Sequence, residues 1–181
     1  MHIKYRYDLP LMMRYYKLPM IGVEVGVGAG QFSRDLLSQG LEKLYSVDAW
    51  EQINPRGDGS FPQAWHDKNY EDAKKLLEPF GNKSIILRGK SVHMASHIPD
   101  NSCGLVYIDG DHSEEAVHED IQKYWTKLVS GGIMAFHDYE IENPIYGVKK
   151  AVKNFALSNF HSVFTIDEDK VEDAGAYIIK P

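Results

Sequence analysis

Apolar runs alternate with amphipathic segments along most of this chain. Met20 to Val27 is rich in β-branched residues and reads as a strand, and Gln31 to Ser38 follows it with helical spacing. Lys43 to Trp50 reads as a second strand. Ala64 to Glu78 is helical in composition and is stopped by Pro79. Ser84 to Arg88 is a third strand, with Gly89-Lys90-Ser91 as its terminal turn. Cys103 to Ile108 is almost continuously apolar, as expected of a strand buried on both faces. Ser113 caps a helix reaching about Leu128, with Glu114 and Glu115 favourable in its first turn. Gly131-Gly132 leads into a fifth strand, Ile133 to Phe136, and Val148 to Phe160 is another helix. Ser162 to Asp167 and Gly175 to Ile179 read as two last strands joined by an acidic turn. Upstream, residues 9 to 17 suit a short amphipathic helix with Asp8 as N-cap and Leu9, Met12, Met13 and Tyr16 on one face. Strands alternating with helices predict an α/β fold with a parallel sheet covered on both faces.

The 181 residues fit one domain with a sizeable core. A net charge of -6 without a long basic run argues against general nucleic-acid binding. The only cysteine, Cys103, opens an apolar run and excludes a disulfide framework or a four-cysteine zinc site. No segment reads as a membrane span or signal peptide, so a cytoplasmic location is expected. A homo-oligomer is left open.

Two motifs carry chemistry. In Val25-Gly26-Val27-Gly28-Ala29-Gly30-Gln31, glycines alternate at Gly26, Gly28 and Gly30, with Glu24 two residues before the first. Such a loop turns tightly and lets a ligand lie against the main chain. Asp48, ending the second strand, is placed to accept hydrogen bonds from a ribose diol. Gln31 stands where a dinucleotide fingerprint needs its third glycine, which disfavours a dehydrogenase. The second motif pairs Tyr107-Ile108-Asp109-Gly110-Asp111-His112 with Phe136-His137-Asp138-Tyr139, at the ends of the fourth and fifth strands. Ligands bind beyond these ends in open α/β sheets, and carboxylates with an imidazole suit a divalent metal. Without metal, Asp109 would hydrogen-bond a ligand or cap a helix, Asp111 would cap the helix near Ser113, and His137 would be a hydrogen-bonded strand-end histidine.

The G-x-G-x-G loop with Glu24 and Asp48 resembles motif I of class I S-adenosylmethionine (SAM) methyltransferases. The second motif resembles their metal-dependent O-methyltransferase branch, which includes catechol, caffeoyl-CoA and sugar enzymes. The resemblance covers about residues 20 to 181 and leaves residues 1 to 19 as an N-terminal helical extension. It implies a Rossmann-like, mostly parallel seven-stranded sheet with helices on both faces and an antiparallel C-terminal strand pair. It implies SAM as cofactor, with Glu24 orienting its methionine end and Asp48 its ribose, and a small-molecule oxygen as acceptor, a sugar hydroxyl among the candidates. It implies magnesium or manganese on Asp109, His137 and Asp138, although the family has an acid where His137 stands. Asp111 or His112 would take the acceptor's proton.

Adenine contacts are expected from Gly89 and Ser91, with Asp109 also near the cofactor. Trp50 either stacks on the adenine or packs in the core. Tyr15 and Tyr16 either line a substrate mouth or dock the N-terminal helix. The N-terminus and the loop from Glu51 to Pro62 would form the acceptor pocket. His66, His93, His97, His118 and His161 read as surface or packing residues. A metal-independent methyltransferase and a SAM-binding module without catalysis are the alternatives.

Overall fold

In the computed structural model, residues 3–52, 60–141, 146–166 and 174–181 are described. The expected loop from Glu51 to Pro62 and the acidic turn near the C-terminus fall largely outside them. The strands are β1 (Ile21–Val25), β2 (Lys43–Asp48), β3 (Ser84–Arg88), β4 (Cys103–Ile108), β5 (Leu128–Phe136), β6 (Phe164–Ile166) and β7 (Gly175–Ile179). The helices are α1 (Leu9–Tyr15), α2 (Gln31–Ser38), α3 (Gln63–Leu77), α4 (Ser91–Met94), α5 (Glu114–Trp125) and α6 (Val148–Ser158). The sheet runs β3-β2-β1-β4-β5-β7-β6. The β1–β2, β1–β4, β2–β3 and β4–β5 pairs are parallel, and β7 is antiparallel to both neighbours. The expected α/β architecture is therefore present. Strand order reverses between β1 and β4, and ligands bind such sheets beyond the strand tips at that point.

Alternation of side chains along each strand divides the core into two layers. One gathers Val23, Val25, Val47, Val106 and Ile108 with Val117, Ile121 and Tyr124 of α5 and Val148, Val152 and Phe155 of α6. The other gathers Leu44, Leu105 and Tyr107 with Phe32, Leu36 and Leu37 of α2, and with Leu9, Met12 and Met13 of α1. α1 thus shares a core with the sheet.

Several local expectations are corrected. Asp8 does not cap α1; it has helical backbone angles, and its Oδ2 accepts instead from the Tyr5 N–H at 3.1 Å. Tyr16 is 40% exposed, because α1 ends at Tyr15 and leaves it off the buried face. β5 starts at Leu128, earlier than the glycine pair suggested, with a register irregularity opposite Cys103 to Leu105. The turn after β3 winds into α4. Ser113 does cap α5, accepting from the Ala116 N–H at 3.4 Å. Among the described residues, no helix is long and apolar enough to cross a membrane.

Candidate active site

The candidate residues stand at successive strand tips, and the backbone ladder holds them there past the last strand residues. The Gly26 N–H donates to the Val47 carbonyl at 2.9 Å, Asp109 to Val25 at 2.7 Å, His137 to Ile108 at 3.0 Å and Gly89 to Asp48 at 2.9 Å. A cavity of about 610 Å³ opens over these tips. On the α1–α2 side it is lined by Arg6, Glu24 and Phe32, and on the α4–α5 side by Ser91, Val92 and Asp120. Gly28, Asp48 and Asp109 lie in its wall.

The three glycines do different jobs. Gly28 has φ +54 and nothing within 4 Å of an added Cβ, so the main chain there is open to a ligand. At Gly26, φ is +87 and a Cβ would stand 1.9 Å from the Asp109 carbonyl oxygen. Its role is the close approach of the β1 and β4 tips. Gly30 faces Ala73 of α3. Gly89 packs against Met94 and is not among the cavity residues, whereas Ser91 is.

Asp48 binds the glycine loop directly. Its Oδ2 accepts from the N–H groups of Val27 and Gly28, both at 2.9 Å, and its Oδ1 from the Trp50 N–H at 2.7 Å. Oδ1 therefore keeps one further acceptor site, while both of those on Oδ2 are taken. Glu24 is 1% exposed, accepts from Ser33 Oγ, and Ser33 Oγ lies 2.8 Å from Ser46 Oγ. Burial pushes its carboxyl well above the usual carboxylate range.

Trp50 is 1% exposed, with φ +43. Its indole Nε1–H donates to the Gly28 carbonyl at 2.8 Å, and its ring lies 4.9 Å from that of Tyr70. The ring is packed in the core, in keeping with the second of its two sequence readings, while Trp50 also borders the cavity. Tyr15 and Tyr16 contact each other edge-on at 5.1 Å and are not among the cavity residues.

The second motif converges as expected. Asp109, His137 and Asp138 each offer a ligand atom, all within 4.8 Å of one another. His137 Nδ1 lies 2.9 Å from Asp138 Oδ1 and 3.4 Å from Asp109 Oδ1. His112 joins them, its Nε2 2.9 Å from Asp138 Oδ2 and 3.6 Å from Asp109 Oδ1. The His112 ring stacks on Tyr146 at 4.8 Å. Burial opposes ionisation of Asp138, but hydrogen bonds from His112 and His137 outweigh it and hold its carboxyl well below the usual range. Burial likewise disfavours a charged His137, yet its bond to Asp138 and the charges of Asp109 and Asp138 raise its pKa. Asp138 has φ +53, a conformation that Asp tolerates better than most residues. Asp111 is exposed on the cavity wall, and its Oδ1 accepts from the Ser113 N–H at 2.8 Å.

Among the cavity residues that escaped the sequence reading are Arg6, His66 and Asp120. Arg6 reaches the wall from the N-terminal segment, its guanidinium 5.1 Å from the Phe32 ring centroid and Nη1 3.5 Å from the Tyr107 hydroxyl. His66, read as surface or packing, is 8% exposed and lines the cavity from α3. Its signal was position alone, since α3 begins beside the β2 tip. Asp120 lies on the inner face of α5 and is 3% exposed.

No curated protein sequence matches the chain. Solved structures do. The O-methyltransferase NovP superposes with a TM-score of 0.70 at 18% identity, covering 96% of this chain and 77% of that one. A caffeoyl-CoA O-methyltransferase-like protein from Staphylococcus aureus gives 0.69 at 14% identity, covering 99% and 85%. The O-methyltransferase from Bacillus cereus, solved in complex with SAH (S-adenosylhomocysteine), gives 0.69 at 13%, covering 96% and 80%. At these identities the likeness is one of fold. The family assignment comes from the sequence: a family model described as a methyltransferase domain matches residues 20–139, from the start of β1 through the His137-Asp138 tip. The chain belongs to this methyltransferase-domain family.

Proposed function

We propose that the protein transfers the methyl group of SAM to an oxygen of a small molecule, with a divalent cation held by Asp109, His137 and Asp138. The observation that carries this reading is Asp109, which belongs both to the cavity wall and to the acid–histidine cluster. A ligand along Gly28 and Asp48 would therefore reach Asp109, the member of the cluster in the cavity wall. Likeness in fold to O-methyltransferases supports oxygen as the acceptor atom.

The residues suit both groups. Gly28 leaves the main chain open, Asp48 is fixed with acceptor capacity to spare, and Glu24 lies under the α1–α2 end. Two carboxylates and an imidazole form a donor set suited to magnesium or manganese. SAM supplies a methyl activated on a sulfonium, so the protein's task is alignment and acceptance of a proton. A bound cation would supply positive charge that lowers the pKa of a nearby hydroxyl. Asp48 orients the ribose, and the N-terminal segment through Arg6 and the start of α3 through His66 bound the space left for the acceptor. Asp111, exposed on the wall, takes the acceptor's proton. His112 is committed to Asp138 and Tyr146, and orients the cluster.

The ion pairs of both histidines with Asp138 favour a second reading, in which they balance the carboxylates and methyl transfer is metal-independent.

The test is a thermal-shift matrix of SAM, S-adenosylhomocysteine and NAD, each with and without magnesium. A ligand that binds only the native state raises its stability. SAM and S-adenosylhomocysteine should do so and NAD should not. Stabilisation by NAD alone overturns the cofactor assignment, and full methyl transfer to a responsive hydroxyl acceptor in excess chelator selects the second reading.

A further inference from the structure

Asp120 is a carboxyl group buried at the α4–α5 end of the cavity, outside the residues assigned above. It lines the cavity and is 3% exposed. One interaction comes from Ser91, which hydrogen-bonds its carboxyl. Its Oδ1 has no hydrogen-bond partner among the described residues. Buried polar atoms are rarely left so, and one beside an open cavity calls for a ligand group.

We infer that Asp120 is the base-recognising residue of the cofactor site, its carboxyl group meeting the amino-pyrimidine edge of adenine. This rests on the SAM reading above. The placement follows from order along the cavity: Glu24 and Asp109 at one side, Asp48 at the ribose, and Ser91, Val92 and Asp120 beyond. Adenine offers there a donor, the 6-amino group, beside an acceptor, N1. A neutral carboxylic acid offers one acceptor and one donor, and so does a carboxamide. An ionised carboxylate offers acceptors only and would face the N1 lone pair.

The surroundings favour the neutral acid. Burial raises the Asp120 pKa to about 7 against the Ser91 hydrogen bond, and the charges of Glu119 on the same helix and Asp111 in the β4–α5 turn add to the rise. Lys90 lines the same end of the cavity, and Tyr124, one turn further along α5, donates its hydroxyl to the Ser91 carbonyl at 2.8 Å. Asp120 therefore discriminates an adenine from a purine without the amino group, and binds either base best below neutral pH, where its proton can meet N1.

The experiment is calorimetric titration with S-adenosylhomocysteine and its 6-deamino analogue, from pH 6 to 8.5, on the wild type, Asp120→Asn and Asp120→Ala. The wild type should favour the adenine ligand by about tenfold, the worth of one net hydrogen bond. Affinity for both ligands should fall as pH rises and the donor to N1 is lost. Asp120→Asn should keep the preference and lose the pH dependence of affinity, and Asp120→Ala should bind the two ligands alike. Unchanged discrimination in the Ala variant overturns the assignment of Asp120 while leaving the cofactor reading intact. If the Ala variant fails to fold, a pH profile in Asp120→Asn as steep as in the wild type does the same. Failure of S-adenosylhomocysteine to bind the wild type overturns the cofactor reading and this inference with it.

Discussion

Trp50→Phe separates two roles that an aromatic ring beside a cofactor loop can have. The substitution removes the Nε1–H bond to the Gly28 carbonyl at 2.8 Å and shrinks a ring that is 1% exposed among Val27, Tyr70 and Ala73. The lost hydrogen bond is worth about 1 kcal/mol net. Replacing the indole by a phenyl removes buried carbon atoms and leaves a gap, for roughly a further 1–2 kcal/mol. The sum, about 2–3 kcal/mol, should lower the midpoint of thermal unfolding by roughly 5–10 °C in a chain of this size. Thermal and urea unfolding of the ligand-free protein are the assays, read by circular dichroism because the substitution removes a fluorophore. S-adenosylhomocysteine affinity should fall only as far as the loosened glycine loop demands. Ligand-free stability within about 0.5 kcal/mol of wild type, together with a tenfold or greater loss of affinity, would make the ring a ligand platform and refute the packing argument.

Chelation should abolish methyl transfer while leaving most S-adenosylhomocysteine binding intact, and Asp138→Ala should behave as the chelated protein does in the same calorimetric and activity assays. Asp111→Asn should lower single-turnover methyl transfer by roughly 10²–10⁴-fold, with His112→Gln compared across pH; a loss under about tenfold in both would place the proton acceptor elsewhere. Stability should also report Asp120: its folded pKa of about 7 lies above that of an unfolded aspartate, so its stabilising contribution is complete below about pH 4 and is lost as pH rises through 7. Urea midpoints at pH 5 and 8 should therefore show Asp120→Asn gaining on the wild type by roughly 2–4 kcal/mol as pH rises, and a constant difference would rule the buried acid out as the cause.

Strand positions were legible in the sequence because burial on both faces leaves a strong signal. Cys103–Ile108 and Gly175–Ile179 fall where the apolar runs put them, and Ser84–Arg88 does too, although as an edge strand it is only partly buried. The helix Gln31–Ser38 does so too, being fixed by the glycine loop before it. Boundaries set by tertiary contact were not legible. The register irregularity that extends β5 back to Leu128 is an example, and so is the Tyr5 N–H that draws the Asp8 carboxylate from its capping role. At the site, Asp109, His137 and Asp138 lie together, and Gly28 and Asp48 share a cavity with Asp109. Arg6, His66 and Asp120 were missed because each is a single polar residue on an amphipathic or irregular segment. Only the packing of that segment against the sheet turns it inward. Trp50 shows the opposite effect: it lies beside Asp48 in sequence, yet its positive φ and its bond to Gly28 put it beneath the loop.

The contact at Gly26 makes the two halves of the site one mechanical unit. With a prospective methyl group only 1.9 Å from the Asp109 carbonyl oxygen, the glycine loop and the acid-bearing turn abut backbone to backbone, with no side chain between them to absorb a shift. A displacement of either loop toward the other would press directly on its neighbour's backbone. Gly26→Ala would be a single lesion with two symptoms, impairing whatever rests on Gly28 and whatever is gathered around Asp109, although residue 26 need touch neither. Remodelling this protein toward another acceptor therefore has to leave this seam alone, and has its freedom in the segments carrying Arg6 and His66, which can change without moving it.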